Sequence, residues 1–303
     1  MIANIEELSK ILRLNLEWLE EDKIFDDFPL KVPESFAARI KLNDINDPLL
    51  LQVLPQECEL QEVPGFVADP LAEKENSPIP GLIHKYQDRV LLSVADVCAI
   101  NCRFCFRRCV RDKILDWQKA FAYIKDHPKV SEVILSGGDP LMLDPDNLIK
   151  LIEWIADISH IKRLRIHSRM PIVMPERQIP SLTQTHLPIV LVVHCNHANE
   201  IDASVAQAID ELRKTGVIVF NQTVLLRGIN DNAQVLISLS EKLFNAGVLP
   251  YYLHMLDKVK GAAHFYVDES RAKQIHLEMQ SKLPGYLVPK LVVDGTHHKR
   301  ILA

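Results

Sequence analysis

The sequence predicts an α/β protein whose strands curl into a partial or full (β/α) barrel behind an N-terminal helical extension. Three observations predict it. Apolar, β-branched runs recur along the chain, amphipathic stretches of helical period separate them, and chemistry-bearing residues cluster just past the runs.

The apolar runs fall at 89–97, 132–136, 163–167, 189–194, 217–225, 249–255 and 287–293. The helical stretches fall at 116–127, 146–158, 202–214, 233–246 and 268–282, with Asp116, Asp146, Asp202 and Asp268 where N-caps are expected. Such alternation implies a parallel sheet with right-handed crossovers, and chemistry at the C-terminal ends of the strands. Cys98, Gly137-Gly138-Asp139, Ser168-Arg169, Asn196-His197, Asp257 and Asp294 all begin within two residues of the end of a run. Residues 1–85 differ in character: helical stretches lead into an irregular acidic arm broken by Pro64, Pro70, Pro78 and Pro80. The expected division is therefore a flank and arm over 1–85 and a barrel core over 86–303.

Composition narrows the function. Of 303 residues, 48% are hydrophobic and 25% charged, the balance of a soluble enzyme. A net charge of −5 argues against a nucleic-acid surface. No apolar run approaches the roughly 18 to 20 residues of a membrane helix, and the N-terminus lacks the pattern of a signal peptide. A cytoplasmic location is expected. Of six cysteines, four lie between residues 98 and 109, which in such a chain reads as metal binding.

Cys98, Cys102 and Cys105 form a C-x3-C-x2-C spacing, with Phe104 before the last cysteine. Four thiolates close a cubane iron–sulfur cluster, so three leave one iron open to a ligand that is not protein. A zinc site is the competing reading, but no second ligand pair of zinc spacing lies nearby. Cys109 could supply a fourth thiolate, while Cys58 and Cys195 read as ordinary buried cysteines.

The spacing resembles the signature of the radical S-adenosylmethionine superfamily, and Gly137-Gly138-Asp139-Pro140 resembles its glycine motif. Further blocks narrow the likeness to the lysine 2,3-aminomutase family: Tyr86-Gln-Asp-Arg89, Cys105-Phe-Arg107-Arg108, the stretch 221–231, and 250–257 followed by Gly261-Ala-Ala-His264-Phe265. The match runs from about residue 80 to 299. The arm Val-Pro-Gly-Phe-Val-Ala-Asp-Pro-Leu and the short length resemble the branch that supplies β-lysine for modifying elongation factor P. Longer catabolic members carry a C-terminal segment absent from this sequence.

The resemblance implies a radical-SAM-type barrel, a [4Fe-4S] cluster, S-adenosyl-L-methionine and pyridoxal 5′-phosphate (PLP). It implies conversion of L-lysine to (R)-β-lysine through a 5′-deoxyadenosyl radical on a PLP imine, with a separate reductant protein and a separate ligase. Residue by residue, it assigns the cluster to Cys98, Cys102 and Cys105. It assigns S-adenosylmethionine to Gly137, Gly138, Asp139, Arg169, His194 and Gln222. Lys299 corresponds to the PLP lysine, with Lys290 as the alternative, because His297 and His298 replace the glycines usual before it. Arg89, with Lys85 and Tyr86, matches the phosphate site. Arg107 matches the partner of the substrate carboxylate, and Asp257 and Asp294 match the pair for the distal ammonium. Two carboxylates suit one buried cation, whereas a substrate with a distal carboxylate would be repelled. Rival readings are a radical enzyme on another amino acid, such as a glutamate-type aminomutase, and a non-catalytic iron–sulfur protein.

Overall fold

The computed structural model describes residues 1–16, 28–109, 115–295 and 298–303. Their strands pair in chain order into one nine-stranded sheet: β1 (Leu82–Tyr86), β2 (Arg89–Ala95), β3 (Glu132–Gly137), β4 (Arg163–Ser168), β5 (Ile189–His194), β6 (Ile218–Val224), β7 (Leu249–His254), β8 (Lys290–Asp294) and β9 (Lys299–Ile301). Neighbours from β2 to β8 are parallel, while β1 and β9 pair antiparallel at the two edges. The sheet is a partial barrel. β3 is buried along Glu132–Ser136, and β5 along most of its length, as strands covered on both faces must be.

The helices are α1 (Ile5–Leu12), α2 (Glu34–Ala37), α3 (Trp117–Lys125), α4 (Pro145–Ala156), α5 (Met170–Val173), α6 (Ala203–Lys214), α7 (Ala233–Asn245) and α8 (Glu269–Lys282). In α4, Leu148, Leu151, Ile152 and Ile155 form a buried stripe at helical spacing. Asp116, Asp202 and Asp268 cap α3, α6 and α8, each accepting a backbone N–H of the first turn. At α4 the cap is Asp144, not Asp146. Pro145 occupies the first helical position, where its missing N–H costs nothing, so the helix starts one residue earlier.

The sequence pattern does not announce the two edge strands. β1 straddles residues 85 and 86, so the sheet begins inside the segment read as an arm. The N-terminal flank also shares the barrel's core: Leu8, Leu12, Phe36, Leu49 and Leu50 are buried in one cluster with Leu92, Leu135 and Leu191. The remainder of the helical N-terminal run, residues 17–27, and His297 lie outside the described residues.

The same flank holds the cysteine loop in place. Arg103, between the second and third cysteines, is fully buried and bonds bidentately to Glu59, through Nε at 2.9 Å and Nη2 at 2.5 Å. Arg108 adds a 2.6 Å bond to Glu59 Oε2. Backbone bonds from Asn101 N to Lys31 O (3.0 Å) and Arg103 N to Gln52 O (2.9 Å) complete the grip. Removing one partner of a buried pair strands the other charge, at about 3–5 kcal/mol. Glu59→Ala is therefore expected to lower the thermal midpoint by several degrees and to loosen the cysteine loop, read by circular-dichroism melting and by thiol labelling of Cys98.

Candidate active site

Parallel strands ending at one edge of the sheet bring their following loops together, and a cavity of about 510 Å³ opens there. Every site residue read from the sequence lines it, from Lys85, Tyr86 and Arg89 through the three cysteines and Arg107 to Gln222, Asp257, Asp294 and Lys299. Lys290 does not; it is exposed at the start of β8. Two chemically distinct ends are evident.

At one end sit Cys98, Cys102 and Cys105. Burial pushes all three thiols up, Cys105 to about 11, and repulsion between neighbouring sulfurs adds to this at Cys98 and Cys105. Arg169 opposes it at Cys102, donating Nη1 to Sγ at 2.6 Å. Arg169 is itself held by Glu200 (2.9 Å) and Gln52 (2.6 Å), so its buried charge is compensated. Buried thiols that repel one another as thiolates suit a cationic iron cluster. Among the described residues, no group of His, Cys, Asp or Glu is arranged to hold a single ion. A cubane asks for no such convergence, since each thiolate takes a different iron.

The glycine turn lies against this loop. Gly137 has φ +102°, a conformation that glycine adopts without strain. A Cβ on Gly138 would collide with the Val97 backbone, one residue before Cys98. Gly138 N and Asp139 N bond to Ala95 O (2.6 Å) and Val97 O (2.9 Å), tying β3's end to the loop. The Asp139 carboxylate turns inward: it accepts from Ser168 Oγ (2.7 Å), Arg169 N (2.8 Å), Met170 N (3.0 Å) and Leu141 N (3.0 Å). Its role in this structure is to pin the turns after β3 and β4 together. His194 and Gln222 are register partners on β5 and β6. Burial holds His194 down at about 3, and its buried Nε2 has no partner, which leaves it available to a bound group.

At the other end, Lys299 and Asp294 form a 3.3 Å pair. His254 links them, donating Nδ1–H to Asp294 at 3.1 Å and accepting from Lys299 at Nε2 at 3.3 Å. The Lys299 ammonium lies 4.2 Å from the Tyr252 ring centre. Burial lowers the Lys299 pKa against the opposing pull of Asp294. Burial also acts to raise Asp294, but the bonds from His254 and Lys299 outweigh it and hold its carboxyl well below the usual range. Asp257 receives less compensation: burial, then repulsion from Asp294, pushes it up to about 7. Lys85 donates to Gly295 O, and the Arg89 guanidinium stacks 3.9 Å from the Tyr86 ring centre, so cations and a phenol share one wall.

A family model described as the Radical SAM superfamily matches residues 92–239. The L-lysine 2,3-aminomutase of Buchnera aphidicola is 47% identical over 304 residues, spanning 97% of this chain and 89% of that protein. The chain belongs to the L-lysine 2,3-aminomutase family. The Escherichia coli member is 47% identical, spanning 96% of this chain and 88% of its own length. The member from Clostridium subterminale is 37% identical over 97% of this chain, which covers 73% of that protein.

Sequence reasoning about this aminomutase-family chain passed over His254, Glu200, Gln52 and Glu73, all of which touch a candidate residue. His254 ends β7, so the strand-end rule that found Asp257 applies to it equally. The others sit far from their partners in sequence and carry no local signal. The Gly138 collision gives a direct test. Gly138→Ala is expected to displace Val97 and Cys98 and cut iron incorporation on reconstitution several-fold, with the far-ultraviolet circular dichroism unchanged.

Proposed function

We propose that this chain is a lysine 2,3-aminomutase, converting L-lysine to (R)-β-lysine. The observation that carries the reading is one cavity holding three closely spaced thiols at one end and a buried Lys–Asp–His set with a second carboxylate at the other. When bound, the reduced [4Fe-4S] cluster with S-adenosylmethionine supplies the 5′-deoxyadenosyl radical, and PLP supplies the acceptor across which nitrogen moves. A cavity of this volume suits organic ligands of that size.

In this reading Cys98, Cys102 and Cys105 hold the cluster, and Arg169 steadies the Cys102 thiolate. Gly137, Gly138 and Asp139 shape the turn that receives S-adenosylmethionine, with His194 Nε2 and Gln222 as polar contacts. Lys299 is the amine that holds PLP, its depressed basicity favouring the nucleophilic form. Lys85, Tyr86 and Arg89 take the phosphate, Arg suiting it through paired donors. Arg107 binds the substrate carboxylate. Asp257 and Asp294 are the carboxylates that would bind the distal ammonium of lysine. The walls exclude water and hold the reacting carbons in line. A glutamate-type substrate would set a second carboxylate against Asp257 and Asp294.

Anaerobic assay of the reconstituted protein with reductant, both organic cofactors and L-lysine is expected to yield β-lysine, lost in Cys102→Ala and in Lys299→Ala. 5′-Deoxyadenosine without β-lysine would refute the substrate or the PLP lysine while leaving the radical half standing. The Asp257 pKa gives a sign for pH. Below about 7 this carboxyl is protonated and cannot pair with ammonium, so kcat/KM is expected to fall as pH drops through 7 and to level off above it. Asp257→Asn should remove that limb of the profile and lower kcat/KM at pH 8.

We further propose that the product serves the modification of elongation factor P, through a separate ligase, with a reductant protein feeding the cluster. Support comes from the resemblance of the arm Val63–Leu71 to that branch. Mass spectrometry of the factor from cells lacking the chain tests it: a β-lysyl mass that persists there would overturn the link.

A further inference from the structure

The irregular arm before β1 supplies cavity wall through Leu71, Glu73 and Asn76. It is fixed at both ends. Val67 bridges to the loop after β7, with Val67 N to Lys258 O at 2.9 Å and Lys260 N to Val67 O at 3.0 Å. Farther along, His84 N of β1 donates to Asn76 O at 2.9 Å. Between these points Asp69 accepts from Glu73 N at 3.1 Å and sets the turn that presents Glu73.

The Glu73 carboxylate meets the Arg107 guanidinium edge-on, accepting from Nη2 at 2.6 Å and from Nε at 3.0 Å. Both side chains are nearly buried, at 11% and 12% exposure. Nη1 of the same group donates to Ser136 Oγ at 3.2 Å and to Gly137 O at 3.3 Å. The guanidinium is thus gripped through Nε and Nη2 by a short, charge-assisted fork, and Nη1 also makes longer bonds to Ser136 and Gly137. An arriving carboxylate meets a guanidinium that is already held in place. It does not replace Glu73 without leaving a carboxylate buried and unpaired.

We propose that Glu73 is a positioning and specificity-determining residue for the substrate carboxylate. It fixes the plane of Arg107 and with it the direction in which the guanidinium meets the substrate carboxylate. This rests on reading Arg107 as the carboxylate partner. The arm is therefore a wall of the site that selects the substrate.

The test compares L-lysine with 1,5-diaminopentane, which lacks only the carboxylate, by calorimetric titration of holoenzyme. Glu73→Ala is expected to weaken lysine roughly tenfold, the scale of one charged hydrogen bond, and to leave diaminopentane unchanged. Glu73→Gln, which keeps one hydrogen bond to the guanidinium, should fall between. In turnover, Glu73→Ala should form more 5′-deoxyadenosine per β-lysine, since a misplaced substrate couples poorly to the radical. Equal weakening of both ligands would mean a merely structural arm, and no change in either would mean no role; each overturns the proposal. Arg107→Ala separates the parent reading: if it leaves lysine binding intact, the assignment of Arg107 fails first. If Arg107→Ala weakens lysine alone and Glu73→Ala does not, only the inference about Glu73 falls.

Discussion

Seven strands paired in parallel must all end at the same edge of the sheet, and each end must be followed by a loop leading into a crossover. That constraint builds the site. The cysteine loop after β2, the glycine turn after β3, Arg169 after β4, His194 and Gln222 on β5 and β6, and Asp257 and Asp294 after β7 and at the end of β8 meet because parallel pairing leaves their ends no other place. The antiparallel edges do a different job. β9 folds back on β8 so that Lys299 pairs in register with Asp294, which sets the amine beside its carboxylate.

A cavity with this much buried charge folds only if each charge is answered. Arg103 is answered by Glu59, Arg169 by Glu200, Arg107 by Glu73 and Lys299 by Asp294, at distances from 2.5 to 3.3 Å. Buried pairs add little net stability, since desolvation offsets most of the attraction. Their value here is geometric. All four answering acids come from outside the strand or loop that carries the cation, and two come from the flank and arm before β1. The N-terminal segment thus does more than cover the barrel: it fixes two of the arginines that flank the cysteines.

This division also explains what the sequence reveals. Strand ends, glycine turns and cysteine spacing are local, written within a few residues, and they were legible together with the barrel they imply. Glu73 and Glu59 sit among prolines and other acids, where a carboxylate reads as solvated. Their partners lie 34 and 44 residues away, and only the tertiary fold brings them together. β1 and β9 are short edge strands with mixed burial, so period-two alternation is too brief to register. The Asp144 cap was missed by two residues because Asp146 is also acidic and Pro145 conceals the true first turn.

The walls between the two ends of the cavity carry a further consequence. His167 and His194 line it, and burial drives both well below the ordinary imidazole value, with nearby cations acting in the same direction. Neither becomes an imidazolium at neutral pH, and aliphatic side chains such as Ile134 and Val224 line the same cavity. With its cofactors bound, the cysteines would hold the radical source and Lys299, Asp257 and Asp294 the other reactants, within one cavity. Orientation of both sets of residues is what such chemistry asks of a protein, and it follows from one arrangement of strands.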